Sequence, residues 1–172
     1  MVLWRLVLGI CLFSITVYAH PHVFIKVHVS VEEEKIFVLW SFDEMSSSML
    51  IGDYDKNKDK TFDEKEIAFI KKDHFDTLAS LSYFLHLYDG KVEHVTTKVN
   101  DFHASVKNKK LHYLFSIPKP LLKEYELRFY DFDMYVGMIV KPEFLTCKEA
   151  VKCSVKGYDA DYYYGYRVLI QK

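Results

Sequence analysis

The feature that most constrains this 172-residue chain is a run in which oxygen-bearing side chains recur at every second position between residues 55 and 63. A calcium loop of the EF-hand type takes its ligands from positions 1, 3, 5, 7, 9 and 12, the seventh through a backbone carbonyl. Counted from residue 55, each of those positions carries an oxygen donor. The run therefore predicts a calcium site whose ligands are Asp55, Asn57, Asp59, Thr61 (through its carbonyl), Asp63 and Glu66.

One position departs from this pattern. The sixth residue of such loops is normally glycine because the chain turns sharply there, and here it is Lys60. A non-glycine residue in the left-handed region costs roughly 1–2 kcal/mol. Five carboxylates in the run also face four lysines, which leaves a net charge of only −1. We expect calcium affinity that is weakened rather than abolished.

The same residues also fit a simpler interpretation. Asp63 and Glu66 have the spacing of a helix N-cap with a reciprocal carboxylate, and Asp, Asn and Lys are common in surface turns. The flanking sequence favours the calcium loop. Residues 44–54 predict a short entering helix, and apolar residues recur at helical steps between residues 67 and 81. Helix, acidic loop and helix thus arrive in the required order.

The N-terminus has the features of a secretory signal peptide. Arg5 precedes an apolar run that ends at Val17, and the small residue Ala19 follows shortly after. A membrane anchor is the alternative, but the run is shorter than the ~20 apolar residues of a spanning helix. We expect cleavage after Ala19, a periplasmic or secreted protein, and no stable membrane anchor in the mature chain.

Cleavage there would expose His20 and His22 at the new terminus, separated by a proline. An α-amine and the imidazole of the same residue form a chelating pair for copper, nickel or zinc. A more distant histidine could complete the site. The alternative is a solvated, frayed terminus. The histidines considered for completion are His28, His94, His103 and His112.

Two cysteines remain in the expected mature chain, Cys147 and Cys153. In an exported protein such a pair predicts a local disulfide. A thiolate site for a soft metal is the alternative, but no other cysteine or well-spaced histidine accompanies the pair.

Most of the remaining chain has the composition and alternation of β-strands. We predict an α+β, mainly β fold: one domain over residues 20–172, built as an antiparallel β-sandwich or barrel. An EF-hand-like helix–loop–helix is inserted at about residues 44–81. The predicted strands are Val23–Val31, Ile36–Phe42, Tyr83–Tyr88, Lys91–Val106, Leu111–Ile117, Glu124–Phe132, Tyr135–Val140 and Tyr163–Ile170.

Several functional classes are not supported. The net charge of −1 gives no basis for nucleic-acid binding, which requires a basic surface. We find no nucleophile elbow, zinc-protease helix or phosphate-binding glycine loop. The tyrosines between residues 158 and 166 could form a partner surface, but such residues more often pack a terminal strand.

A series of short motifs occurs in order along the chain. The motifs are His20-Pro-His-Val-Phe24, Trp40-Ser-Phe-Asp-Glu-Met45, Ser47-Ser-Met-Leu-Ile51, the loop Asp53–Glu66, Asp101-Phe-His-Ala104, Tyr130-Asp131 and Tyr162-Tyr-Tyr-Gly165. This series resembles the domain-of-unknown-function family 1007. The resemblance implies an exported bacterial protein, a periplasmic component of an uncharacterised transport system, in a setting similar to that of nickel/cobalt permease partners. That family usually carries glycine at the position of Lys60.

Together these features predict an exported, non-catalytic metal-binding protein. It would hold calcium in the loop and a transition metal (nickel, cobalt, copper or zinc) at the terminal histidines, as an accessory to an inner-membrane metal transporter. One alternative is a cation-dependent hydrolase in which Asp43, Glu44 and His103 converge within hydrogen-bond reach. Another is a structural or adhesion module that uses the tyrosine-rich end.

Overall fold

Two β-sheets and a helical insertion share one hydrophobic core. The structure, a computed structural model, describes residues 22–172 apart from residues 97, 134, 161 and 162, and the side chains of residues 160 and 163 are also outside the description. The predicted signal peptide and His20 therefore lie outside the described residues. Among those described, no helix combines the length and apolar character needed to cross a bilayer.

Eleven strands are described, together with the helices α1 (Glu44–Tyr54) and α2 (Glu64–Ile70). Helix α2 continues as a π-helical turn, Lys71–Phe75, and a 3₁₀ segment, Asp76–Phe84. The strands are β1 (Val23–Val31), β2 (Lys35–Phe42), β3 (Leu85–Asp89), β4 (Val92–His94), β5 (Asn100–Lys107), β6 (Lys110–Pro118), β7 (Glu124–Phe129), β8 (Val136–Ile139), β9 (Leu145–Cys147), β10 (Lys152–Ala160) and β11 (Tyr163–Gln171).

The first sheet has the order β5-β6-β2-β1-β8, and β9 also pairs with β1. The second sheet has the order β10-β11-β7-β3-β4. Pairing is antiparallel except that β8 and β9 run parallel to β1. The prediction of an α+β, mainly β fold with two sheets is confirmed, and the parallel edge is an addition to it.

The core follows from strict alternation along the strands. In β1 the residues Ile25, Val27, Val29 and Val31 are buried, while the side chains between them face outward. Strand β2 does the same, and its Trp40 contacts rings from the insertion and from β6. Aromatic packing thus attaches the insertion to the first sheet. Such ring pairs stabilise a fold by more than their buried area alone would give.

Three predicted strand boundaries are wrong. Strand β3 begins at Leu85 rather than Tyr83, because the 3₁₀ segment ends with Ser82, Tyr83 and Phe84 at φ of 53°, 53° and 50°. The single strand predicted over residues 91–106 is two strands, β4 and β5, in different sheets. Strand Glu124–Phe132 ends at Phe129. Strands β9 and β10 were not predicted.

The predicted disulfide between Cys147 and Cys153 is confirmed. Cys147 ends β9 at the edge of the first sheet, and Cys153 lies at the start of β10 in the second sheet. The bond therefore joins the two sheets at one edge of the molecule.

Candidate functional site

The acidic run forms the connection between α1 and α2. Asp43 caps the start of α1, and the helix ends at Tyr54, immediately before the first predicted ligand. Helix α2 begins at Glu64. Asp55 and Glu66, the first and last predicted ligands, are 7% and 6% exposed, whereas the residues between them lie mostly at the surface.

The carboxylate of Asp55 folds back over the loop. Its Oδ1 accepts a hydrogen bond from the backbone N–H of Asp59 at 3.2 Å, and its Oδ2 accepts one from Lys60 at 2.9 Å. Asp59 in turn accepts from the backbone N–H and the hydroxyl of Thr61, at 2.8 and 2.6 Å. These two bonds lower the pKa of the Asp59 carboxyl below its usual value. The loop is therefore turned by its own side chains, as Asp and Asn residues do.

Glu66 connects both ends of the loop. Its Oε1 accepts from the backbone N–H of Lys56 at 2.7 Å, and its Oε2 accepts from that of Asp63 at 3.0 Å. Asp63 reciprocates by accepting from the backbone N–H groups of Lys65 and Glu66, both at 2.8 Å. The helix-cap interpretation is thus correct for Asp63 and Glu66. The same geometry turns the Glu66 carboxylate towards the loop.

Lys60 has the backbone conformation that the calcium pattern requires of its sixth position. Its φ is 68°, in the left-handed region, and Lys58 is also left-handed with a φ of 60°. In the absence of glycine, this loop makes the sharp turn with lysine at both positions.

Most of the loop carboxylate oxygens accept from backbone N–H groups, and Asp59 also accepts from the hydroxyl of Thr61. Within residues 22–172, outside the undescribed positions, no three His, Cys, Asp or Glu side chains come close enough together to hold a metal ion. Two of the six predicted ligands, the Asn57 side chain and the Thr61 carbonyl, are not side chains of His, Cys, Asp or Glu. A bound cation would have to draw the carboxylates away from the N–H groups that they now accept from.

The terminal histidine site is described only in part. The backbone N–H of His22 donates to the carbonyl of Tyr135 at 2.8 Å, and the two rings lie 5.3 Å apart. His94 and His103 are exposed on β4 and β5. His28 lies against Phe144 with ring centroids 4.3 Å apart. The proposed completion of the site by one of these histidines stays a prediction.

The outward face of the first sheet carries a site that sequence reasoning missed. It is a concavity of about 660 Å³ whose polar lining includes His28, Ser41 and His112 together with three lysines. Ser41 Oγ lies 2.9 Å from His112 Nδ1. Burial is the largest cause that lowers the pKa of both imidazoles. Neighbouring positive charges lower it further, and for His112 a hydrogen bond with the backbone of Lys107 acts in the opposite direction. The register that pairs Ser41 with His112 across β2 and β6 cannot be read from one strand alone.

The structure brings only part of the hydrolase alternative to this concavity. Asp43 and Glu44 line this concavity, and His103 does not. Asp43 instead accepts from the backbone N–H groups of Ser46 and Phe24, at 2.9 and 2.8 Å. Burial alone would raise its pKa, but these hydrogen bonds outweigh burial and hold the pKa below its usual value. Capping of α1 accounts for this carboxylate.

The tyrosine-rich end has structural contacts. The guanidinium of Arg128 lies between the rings of Tyr88 and Tyr158, at 3.7 and 4.8 Å from their centroids. Tyr164 and Tyr166 pack edge to face at 5.5 Å. These contacts agree with the interpretation of this segment as a packed terminal strand.

Comparison with known proteins places the chain in a family. Residues 5–167 match the family described as protein of unknown function, DUF1007. The chain is also 30% identical over 94 residues to an uncharacterized 15.5 kDa protein in the trpE 3′ region of Spirochaeta aurantia, which is 52% of this chain and 67% of that protein. Neither description names a ligand, a reaction or a partner. Because the family match covers nearly the whole sequence, this chain belongs to the DUF1007 family.

Proposed function

We propose that this protein is an exported, non-catalytic calcium-binding protein whose ion is held by residues 55–66. The observation that carries the proposal is the position of Glu66, whose carboxylate meets backbone groups at the start and the end of the loop. The left-handed backbone of Lys60 also supports the proposal. With these two features the loop has the turn that a calcium site requires independently of a bound ion. The ligands would be the six oxygen donors predicted from the sequence.

The ion would stabilise the fold rather than switch it. Helix α1 is attached to β6 by the N–H of Leu111, which donates to Ser47 Oγ at 3.0 Å, and the opposite end of α1 leads into the loop. Glu66 is buried in the first turn of α2. A cation between Asp55 and Glu66 would therefore join the two helices. Extracellular calcium modules bind at about 10⁻⁴–10⁻³ M, and the low net charge of this loop supports an affinity in that range.

Calorimetric titration and thermal unfolding test this proposal. At calcium concentrations about tenfold above the dissociation constant, binding adds about 1.4 kcal/mol, which raises Tm by roughly 3–5 °C for a domain of this size. Magnesium should have a smaller effect because it retains its water and demands octahedral geometry. Unchanged melting of the wild-type protein at millimolar calcium would contradict the proposal.

Two glutamates in the first turn of α2 provide a matched pair of variants. Glu66→Gln removes the bidentate ligand and keeps the capping-box bond from the N–H of Asp63, which Gln also accepts. Its amide NH₂ does not replace the oxygen that accepts from the N–H of Lys56. Glu64→Gln removes the same charge from an exposed residue that is not a predicted ligand. We expect Glu66→Gln to lose the calcium response and Glu64→Gln to keep most of it. Equal losses would indicate that charge, rather than coordination, causes the response.

The same proposal includes a transition-metal site at His20 and His22 and an inner-membrane metal transporter as partner. Fewer observations support these two parts than support the calcium site. They are supported by the residue pattern and by the resemblance noted above. Native mass spectrometry of the protein purified from its own compartment reports the mature terminus and the bound metals together. A terminus other than His20 would remove the chelating amine and with it this part of the proposal.

A further inference from the structure

The concavity on the outward face of the first sheet contains a row of polar side chains that crosses four strands. Lys26 of β1 pairs with Ser41 of β2. Ser41 pairs with His112 of β6, which in turn pairs with Ser105 of β5. Side chains directly opposite each other in an antiparallel sheet have Cβ atoms about 4.5–5.5 Å apart. All four line the concavity, so the strand register brings an ammonium, an imidazole and two hydroxyls onto one surface.

Two further lysines face each other at the turn between β5 and β6. Lys107 and Lys110 are directly opposite in the ladder, and both line the concavity. Asn108 and Lys109 connect them with φ of 52° and 62°, as in the tight turn of a two-residue hairpin. Like charges in directly opposite positions destabilise an antiparallel pair. The hairpin therefore holds two lysines side by side, and an anion between them would relieve their repulsion.

The three lysines of the concavity have no acidic partner among the described residues, whose lysine ion pairs all involve other lysines. Asp43 and Glu44 also line the concavity. Both carboxylate oxygens of Asp43 accept hydrogen bonds, from the N–H groups of Phe24 and Ser46 and from the Ser46 hydroxyl. Glu44 is exposed in the first turn of α1. The three ammonium groups thus have no counter-ion within the described part of the chain.

The positive groups of the concavity act on one another. Burial is the largest cause that lowers the pKa of His28, and the charges of His112 and Lys26 lower it further. Burial also lowers the pKa of His112, and the charges of Lys107 and Lys110 add to this, against a hydrogen bond with the Lys107 backbone. Basic side chains from β1, β5 and β6 therefore share one electrostatic environment, and that environment favours an anion.

The rest of the lining includes the apolar side chains of Phe24, Leu39 and Ile139. The volume of about 660 Å³ lies in the range of about 300–1,000 Å³ found for small-molecule sites, and it is much larger than an inorganic anion. We propose that this concavity binds a small organic anion with two negative charges, such as a phosphate monoester. The charged group would lie among the three lysines, since lysine commonly binds phosphate, and the apolar part against these side chains. The site shares no residue with the calcium loop and does not depend on it.

Phenyl phosphate, inorganic phosphate and benzoate test this proposal, because inorganic phosphate lacks the ring and benzoate carries only one charge. Calcium-free protein is titrated at pH ~7.5, where a phosphate monoester carries close to two charges. The imidazole resonances of His28 and His112 report on the site, with the exposed His94 as reference. We expect phenyl phosphate to saturate, to shift both resonances, and to bind at least about fivefold more tightly than the other two compounds. Failure to saturate, equal affinity for all three compounds, or unmoved imidazole resonances would overturn the proposal.

Two lysines of the same hairpin locate the binding. Lys110 lines the concavity, whereas Lys109 is exposed and does not line it. Lys110→Gln should weaken phenyl phosphate binding roughly fivefold, and Lys109→Gln less than about twofold, although both remove the same charge. Thermal melts check that both variants are folded. Equal weakening by the two substitutions would show that phenyl phosphate responds to net charge rather than to this site, against the proposal.

Discussion

At the scale of single residues, the loop tolerates lysine where its turn favours glycine. Lys60 has a φ of 68°, and in this conformation its backbone N–H donates to Asp55 Oδ2. The left-handed conformation disfavours any residue with a Cβ by roughly 1–2 kcal/mol. The loop therefore carries a local strain that a single substitution can remove.

Replacing Lys60 by Gly should stabilise the protein by about 1 kcal/mol, since relief of the left-handed penalty exceeds the added chain entropy of the unfolded state. Chemical denaturation in the presence of a chelator measures this effect without a contribution from calcium. The variant should also bind calcium more tightly, because it loses a positive charge.

Lys56→Gly is the matched control for that substitution. It removes the same charge from the same loop, but Lys56 is not among the residues with positive φ. Glycine there adds unfolded-state entropy and also removes the Lys56 ammonium, which donates to the carbonyl of Asp53 and lies 5.9 Å from the centroid of the Phe69 ring. It should therefore destabilise by at least about 0.5–1 kcal/mol. The two variants should thus move stability in opposite directions. Stabilisation by both would show that charge dominates over backbone strain.

At the scale of elements, local signals predicted local structure. The alternation in β1 and β2 gave both strands, and the spacing of Asp63 and Glu66 gave the capping box at the start of α2. Strand β10 was not predicted because it is an edge strand whose lysines and glycine carry little β-propensity. The start of β3 was predicted wrongly because the residue types of Tyr83 and Phe84 do not indicate a positive φ.

The candidate sites also differ in how far the sequence alone could predict them. The loop is contiguous in sequence, so its spacing alone was enough to predict a set of six oxygen ligands. The concavity on the first sheet combines residues far apart in the sequence, such as His28 of β1 and His112 of β6. Its existence depends on strand register, which a single sequence does not show.

The disulfide yields a prediction at this scale because it joins β9 of the first sheet to β10 of the second. The Cys147→Ser/Cys153→Ser double variant should lose about 2 kcal/mol of unfolding free energy, as the chain-entropy model gives for a loop this short. Amide exchange should accelerate most in β9 and β10, which the bond holds together. Reductant should destabilise the wild type but not the variant; equal stability of oxidised and reduced wild type would contradict the prediction.

At the scale of the whole molecule, four histidines make the fold sensitive to acid. Burial is the largest cause that lowers the pKa of each of them. They lie on the outer face of the first sheet, in the helical insertion and in the second sheet. The four are His28, His74, His86 and His112. They are far apart along the chain, so their protonation acts on both sheets and on the insertion together.

The direction of the effect follows from proton linkage. An unfolded histidine has a pKa of about 6.5, and each of these four has a lower pKa in the folded protein. Below pH ~6.5 the unfolded state therefore binds more protons than the folded state, so stability falls as the pH decreases. As the pH falls below ~6.5, each histidine lowers the free energy of unfolding by at most about 1.4 kcal/mol per pH unit. This continues until the pH reaches the pKa of that histidine in the folded protein. Stability should be nearly independent of these groups above pH ~7.5.

His86 gives the sharpest test of this acid sensitivity. It is 3% exposed, stacks face to face on Tyr130 at 4.0 Å, and its Nδ1 lies 2.7 Å from Glu93 Oε1. Burial lowers the pKa of His86 more than Glu93 raises it. His86→Phe preserves the stacking and removes the titrating group, so the decrease in unfolding free energy between pH 7.5 and 5.5 should become smaller. His103→Gln, at an exposed position of β5, should leave that decrease unchanged. An identical pH dependence in wild type and His86→Phe would show that protonation of His86 does not oppose folding.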